Sequence, residues 1–358
     1  MALIPANMKR LSSKITLLSL AILLMSSAVQ AAWWDPFNWF TDQEEELLNL
    51  RPASLEEEAE AKILFEDGQA ALADGNEGRA FRRFKKISED YIRTIPAPDA
   101  LVEMSRIQQN RKQWNKAFET LQITLLRYPD YEGFQTIVAE QFKIATALMD
   151  GARGRFLWII PTFKNSKKAR QYFETVVANG PYSDYAPLAL MNVAIVSDRR
   201  NEPEYAIDAL DRMINIYPDN MLAADAYYQL AEVYSGLVEG PAYDQGSTRE
   251  AISYYEDFLI LFPDSPLIGD AESGLETMKE VYARSKYDLG EFYFVYRRNT
   301  TAALTFYNEA ITVAPDSDSA ASAQVRVDAI KNGARPPRFH FGFGDVWRNI
   351  RGHDLLDE

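Results

Sequence analysis

The 358-residue chain contains no cysteine and only two histidines, His340 and His353, both near its C-terminus. Disulfides, thiolate metal sites and cysteine nucleophiles are thereby excluded, and any histidine-based catalysis would have to be assembled in a tail. Positive charge is also scarce. Against 38 lysines and arginines stand 52 acidic residues, a net charge of −14. That balance argues against a general affinity for the phosphate backbone, so no nucleic-acid partner is expected. Catalytic motifs are missing as well. Gly151-Ala152-Arg153-Gly154-Arg155 lacks the lysine and hydroxyl pair of a phosphate-binding loop. The acidic runs at 44–46 and 56–58 lie before or at a helix start, where the dipole favours negative charge. Nothing selects two carboxylates at the separation a glycosidase needs. The sequence therefore predicts no enzymatic activity, no metal and no cofactor.

Long apolar runs are short too. Ile15 to Met25 is one, preceded by Lys9, Arg10 and Lys14 and followed by the small residues that end at Ala31. It falls below the ~20 residues of a membrane span and has the order of a secretory signal peptide, so cleavage after Ala31 is expected. The predicted organisation is a signal peptide at 1–31, an aromatic and acidic segment at 32–54, a repeat array at 55–331 and an irregular tail at 332–358.

What the chain does have is a repeat. A small residue, a bulky apolar residue four positions on and a proline twelve positions on recur as Ala117/Leu121/Pro129, Ala169/Phe173/Pro181, Ala206/Leu210/Pro218, Ala251/Tyr255/Pro263 and Ala303/Tyr307/Pro315. Ala80/Phe84 is an earlier copy, with Ile92 in the proline position. Alanine lets two helices cross closely, the bulky side chain fills the groove, and proline ends the second helix. Each unit is thus a helix hairpin that must stack on its neighbours to cover its apolar face. The expected fold is an all-α tetratricopeptide-repeat solenoid of about six hairpins, with a capping helix over Ala320 to Lys331. Insertions are expected at 149–167 in the third unit and at 235–248 in the fifth.

The last unit is more specific than the repeat. Its helix from Gly269, the run Glu291-Phe292-Tyr293-Phe294-Val295-Tyr296-Arg297-Arg298, the pair Ala302-Ala303 and the phrase Phe306-Tyr307-Asn308-Glu309-Ala310-Ile311 resemble the terminal repeat of the BamD (YfiO) family. Three Tyr/Phe-Pro-Asp corners at Pro129, Pro218 and Pro263 agree with it. The resemblance implies a non-enzymatic scaffold in the periplasm, peripheral to the outer membrane. Its partners would be an outer-membrane barrel assembly protein, held by the C-terminal repeats, and unfolded β-barrel substrates, received by the N-terminal ones. The lipid-anchor cysteine usual in that family is absent, and the chain has six units where five are typical. A generic periplasmic adaptor for envelope or division proteins is the alternative.

Candidate sites follow from the register. Lys62, Gln69, Arg106, Gln109 and Asn110 fall on the first helices of the first two units, facing the inner wall, where they suit an extended peptide or its terminal carboxylate. Tyr293, Tyr296, Arg297 and Arg298 form the partner-binding candidate. Arg153, Arg155, Trp158 and Lys164 in the first insertion either dock on an acidic partner or anionic headgroups or brace the array. Trp33, Trp34 and Trp39 either contact the membrane interface or fold back on the first repeat.

Overall fold

A computed structural model describes residues 52–336, apart from 152–154, 157–159, 162–165 and 242–244. The expectations for the signal peptide, for the segment up to residue 51 and for the tail from 337 onward lie outside the described residues. The chain divides into two compact units, Met1–Ala97 and Pro98–Glu358.

In the first unit α1 (Leu55–Ala73) and α2 (Glu77–Asp90) form one hairpin. Ser54 starts α1 through a reciprocal cap: its hydroxyl accepts from Glu57 N at 3.2 Å while the Glu57 carboxylate accepts from Ser54 N at 2.6 Å. Such a cap contributes about 1 kcal/mol. Gly75 turns the chain at φ +73° and Asn76 caps α2 by accepting from Arg79 N at 3.0 Å. The hairpin closes because Gly68 carries no side chain. A Cβ there would stand 2.5 Å from the ring of fully buried Phe84.

The second unit holds α3 (Pro96–Asn110) from Pro98 onward, then α4 (Trp114–Arg127), α5 (Phe134–Met149), α6 (Ser166–Asn179), α7 (Tyr185–Asp198) and α8 (Pro203–Ile216). It ends with α9 (Ala223–Gly236), α10 (Gln245–Leu261), α11 (Ile268–Glu291), α12 (Thr300–Val313) and α13 (Asp318–Lys331). Within the second unit, helices adjacent in sequence from α4 onward pack on one another, and α5 touches α7 as α9 touches α11. The register alanines Ala80, Ala117, Ala169, Ala206, Ala251 and Ala303 are all 0% exposed. The bulky residues four on, Phe84, Leu121, Phe173, Leu210, Tyr255 and Tyr307, are at most 1% exposed. The fold is the all-α tetratricopeptide array that this spacing predicts.

Hairpin turns without insertions share one more feature. Gly75, Lys112, Asn201 and Arg298 each sit five residues before the register alanine, and each has a left-handed φ of 55–73°. Between α5 and α6 the backbone forms two short strands, β1 (Arg155–Phe156) and β2 (Ile160–Pro161), paired antiparallel with Arg155 opposite Pro161. The second insertion is shorter than the sequence suggests. α9 runs through Gly236 and α10 starts at Gln245, because Ser247 and Thr248 are buried in the helix rather than looped out. The capping helix also starts early, at Asp318, where Ser317 accepts from Ala320 N at 3.1 Å.

One set of polar side chains inside the second unit closes on itself. Gln122 Oε1 accepts from Gln141 Nε2 at 2.8 Å and from Asn179 Nδ2 at 2.6 Å, while Gln122 Nε2 donates to Asn179 Oδ1 at 3.1 Å. These three amides pin α4, α5 and α6 in one register, since a partner left unpaired in the core would cost about 1–3 kcal/mol.

Candidate interaction surfaces

The terminal hairpin presents the most distinctive exposed surface. α11 and the turn that follows it bring Ala283, Lys286, Gly290 and Phe294 to face α12, a spacing that keeps one helical stripe inward. Gly290 allows the crossing, since a Cβ would stand 2.5 Å from Tyr307 Cδ1 and Cε1. Tyr307 is locked in turn: its hydroxyl donates to Glu291 at 2.6 Å, and Arg326 of α13 grips the same carboxylate at 2.7 and 2.9 Å. Burial pushes the Tyr307 phenol well above its ordinary range and the bond to Glu291 adds to it. Lys286 is 8% exposed, ion-paired to Glu309 at 2.7 Å, with its amine over the Tyr282 ring. Burial disfavours its charge, but the bonds to Glu309 and Tyr282 outweigh that and raise its pKa.

Past Glu291 the chain widens into a π-helical turn over Phe292–Tyr296, with Arg297 N donating to Phe292 O at 3.2 Å and Asn299 N to Tyr293 O at 2.9 Å. A wide turn lets Phe294 stay in the core while Phe292 and Tyr296 face out. Tyr293 is half-buried and its ring stacks on Phe306, centroids 5.2 Å apart. Tyr296 is 69% exposed and Phe292 42%, and their rings lie 5.9 Å apart with the Arg297 guanidinium 5.6 Å from the Phe292 centroid. Arg298 is exposed and held at φ +55°, and Asn299 caps α12 by accepting from Ala302 N at 3.1 Å. Two exposed rings and two exposed cations thus share one corner on a rigid base, a composition favoured in protein interfaces. Phe292 was absent from the sequence-derived set. Its signal was the aromatic run itself, whose outward members depend on the π turn.

Other candidates are more dispersed. Lys62 and Gln69 are exposed on α1, seven residues apart on one face. On α3, Arg106 is exposed and pairs with Glu103 at 2.6 Å, Gln109 is half-buried with its amide 3.5 Å from Ser105 Oγ, and Asn110 is exposed at the helix end. An exposed i,i+3 pair contributes well under 1 kcal/mol and leaves Arg106 available to a ligand. A cleft of about 410 Å³ opens between α7, α8 and α9, with Asp198, Arg199, Gln229 and Glu232 among its polar lining. Arg153, Trp158 and Lys164 lie outside the described residues, as do Trp33, Trp34 and Trp39; Arg155 is described only as backbone in β1. Among the described residues no cluster of three metal-ligating side chains occurs, and no helix is long and apolar enough to cross a membrane.

Hairpins of this register define a tetratricopeptide-repeat protein, and residues 99–131 match the tetratricopeptide repeat model. Residues 162–326, just under half the chain and including the terminal hairpin, match the model of the outer membrane lipoprotein family YfiO. Two curated relatives are each named outer membrane protein assembly factor BamD. One, from Rickettsia prowazekii, is 28% identical over 41% of this chain and 59% of its own length. The other, from Caulobacter vibrioides, is 26% identical over 36% of this chain and 42% of its own. The chain therefore spans about half the length of the curated relatives it matches. Among solved structures, a TPR repeats protein from Bacteroides fragilis is 12% identical, with 75% of this chain and 98% of that one covered at a TM-score of 0.36. The chain is thus BamD-like in its C-terminal half and tetratricopeptide in fold.

Proposed function

We propose that the protein is a non-enzymatic scaffold of outer-membrane β-barrel assembly, exported to the periplasm and peripheral to the outer membrane. The observation that carries this reading is the coincidence of the YfiO match at 162–326 with the exposed aromatic and cationic corner at Phe292, Tyr296, Arg297 and Arg298. The corner docks a barrel-type assembly protein. Tyr296 and Phe292 supply apolar anchors that cost little conformational entropy to order, and the two arginines supply charge-assisted hydrogen bonds to carboxylates or main-chain carbonyls of the partner. Tyr293, stacked on Phe306, supports the anchors from below.

In this reading the first helices receive unfolded substrate segments. Lys62 and Gln69 on α1, and Arg106, Gln109 and Asn110 on α3, offer donors to an extended chain, whose backbone needs partners along its whole length. A photo-crosslinking residue at position 296, with one at position 106 as a second site, tests both assignments in detergent-solubilised envelope. Position 296 should yield an adduct with an outer-membrane barrel protein identified by mass spectrometry, and position 106 an adduct with newly exported barrel substrates. Adducts only with division or peptidoglycan proteins would replace this reading with that of a general envelope adaptor.

A further inference from the structure

Every exposed residue of α2, namely Arg79, Arg82, Lys85, Lys86, Glu89 and Asp90, is charged. The other helix of the hairpin does not follow that rule. α1 buries Ala61, Gly68 and Ala71, with Gly68 under the Phe84 ring. On its opposite side the positions that share one face are Leu55, Ala59, Ile63, Glu66, Ala70 and Ala73, all of them exposed. Glu66 alone among them is polar, and Leu55 is 90% and Ile63 65% exposed. A helix with apolar residues on two opposite sides is normally covered on both.

The end of a repeat array needs a polar outer face to stay soluble. The last helix, α13, meets that need: Asp318, Ser322, Gln324, Asp328 and Lys331 are exposed, with Val325 the one large apolar residue among them. α1 leaves it unmet. Charge then limits what can cover the face. α1 carries Glu56, Glu57, Glu58, Glu60, Glu66 and Asp67 against Lys62 alone. A second copy seated here would set those acids against their own equivalents, and an anionic lipid surface would be repelled in the same way. The face therefore suits an apolar stretch with little charge of its own.

One such stretch is tethered to the helix itself. Trp33-Trp34-Asp35-Pro36-Phe37-Asn38-Trp39-Phe40 holds five aromatic rings and one charge, and lies outside the described residues. Residues 41–54 join it to the start of α1. That link of about 14 residues reaches up to ~45 Å when extended, while α1 is ~28 Å long, so the stretch can lie anywhere along the exposed face. A short tether also holds it at an effective concentration on the order of millimolar, an advantage over any free partner.

We propose that residues 33–40 dock on the exposed face of α1 and form the outer layer of the first hairpin. The aromatic rings pack on Leu55 and Ile63, and the small side chains of Ala59 and Ala70 leave room for them. The acidic part of the link, Asp42 to Glu46, stays in water. Trp33, Trp34 and Trp39 are then engaged by α1 rather than by lipid, and Lys62 and Gln69 border the docked stretch. This inference goes beyond the scaffold reading and requires no partner protein.

The chain has no cysteine of its own, so crosslinking between introduced thiols reads the contact. Asn38→Cys/Glu66→Cys keeps every apolar residue of both surfaces, and Asn38→Cys/Lys86→Cys, on the charged side of α2, is the control. With a short bismaleimide, the first pair in the full chain should join within one molecule at least tenfold more than the control. The yield should be independent of protein concentration and unchanged by vesicles of phosphatidylglycerol or of phosphatidylcholine. Ile63→Glu added to the first pair should cut it at least tenfold while circular dichroism stays the same, because Ile63 lies on the exposed side of the helix. The proposal is overturned by a yield within twofold of the control, or by one that Ile63→Glu leaves within twofold. Crosslinks that form only between molecules and grow with concentration overturn it in favour of a second copy, and loss of the crosslink on adding vesicles overturns it in favour of the membrane. None of these outcomes touches capture of a barrel protein by the terminal corner, so the two readings fail separately.

Discussion

Gly290→Ala should destabilise the terminal hairpin, although the same exchange at an open helical site stabilises. In a helix interior alanine is favoured over glycine by about 0.5–1 kcal/mol. At position 290 the new methyl would stand 2.5 Å from two ring carbons of Tyr307 and 3.1 Å from a third. The ring has nowhere to retreat, because it is 0% exposed and its hydroxyl is held by Glu291, itself gripped by Arg326. Overpacking of this kind costs about 1–3 kcal/mol. With a pinned ring the upper end applies, leaving a net loss of about 2 kcal/mol. Amide hydrogen exchange in α12 reads it directly, since about 1.4 kcal/mol is tenfold in an equilibrium constant, so protection should fall about 30-fold. Gly269, on the same α11 with nothing within 4 Å of an added Cβ, is the control, and Gly269→Ala should leave protection unchanged or raised. If Gly290→Ala protects α12 as well as Gly269→Ala does, the close crossing of α11 and α12 is wrong.

Lys112 occupies a left-handed turn at φ +58°, so Lys112→Gly should raise stability by up to about 1 kcal/mol in a urea titration, the relieved strain exceeding the entropy glycine adds. Gln122→Ala should cost about 1–3 kcal/mol by removing the partner of the buried Gln141 Nε2 and of half-buried Asn179 Oδ1, measured as a lower urea midpoint at unchanged slope. Tyr128 is pushed up to about 12 by burial. As an acid with a raised pKa it keeps its proton in the fold while the unfolded chain loses its own near pH 10. Its contribution is therefore whole below about pH 10 and lost as pH rises towards 12, by at most about 3 kcal/mol. Tyr128→Phe should flatten the fall of the urea midpoint across that window, and an unchanged fall would refute the assignment.

The twelve-residue spacing was enough to place the hairpins because each of its three positions has one physical job. Ala206 and Leu210 are both 0% exposed, as a crossing demands, and the chain leaves each second helix at or just before the corner. What the spacing could not carry was anything set by residues distant in sequence. Gln122, Gln141 and Asn179 look like ordinary polar positions until three helices bring them together. Arg170 and Glu202, an ion pair at 3.0 Å, are separated in sequence by a whole helix. The π turn at Phe292–Tyr296 belongs to the same class, since residues there favour a regular helix and tertiary packing of Phe294 selects the wider one. Of the terminal candidates, Tyr296, Arg297 and Arg298 are outward and Tyr293 is the packed member, a division that depends on that turn.

The central claim is that the terminal corner holds an outer-membrane barrel assembly protein. Its most direct test is affinity capture from detergent-solubilised envelope with the full chain and with Tyr296→Ala/Arg297→Glu, two exposed positions whose change should leave the melting curve unaltered. The account predicts that the unaltered chain retains a barrel protein identified by mass spectrometry and that the variant retains at least tenfold less. Equal retention by a variant of unchanged Tm, or retention of no barrel protein by either, would contradict it.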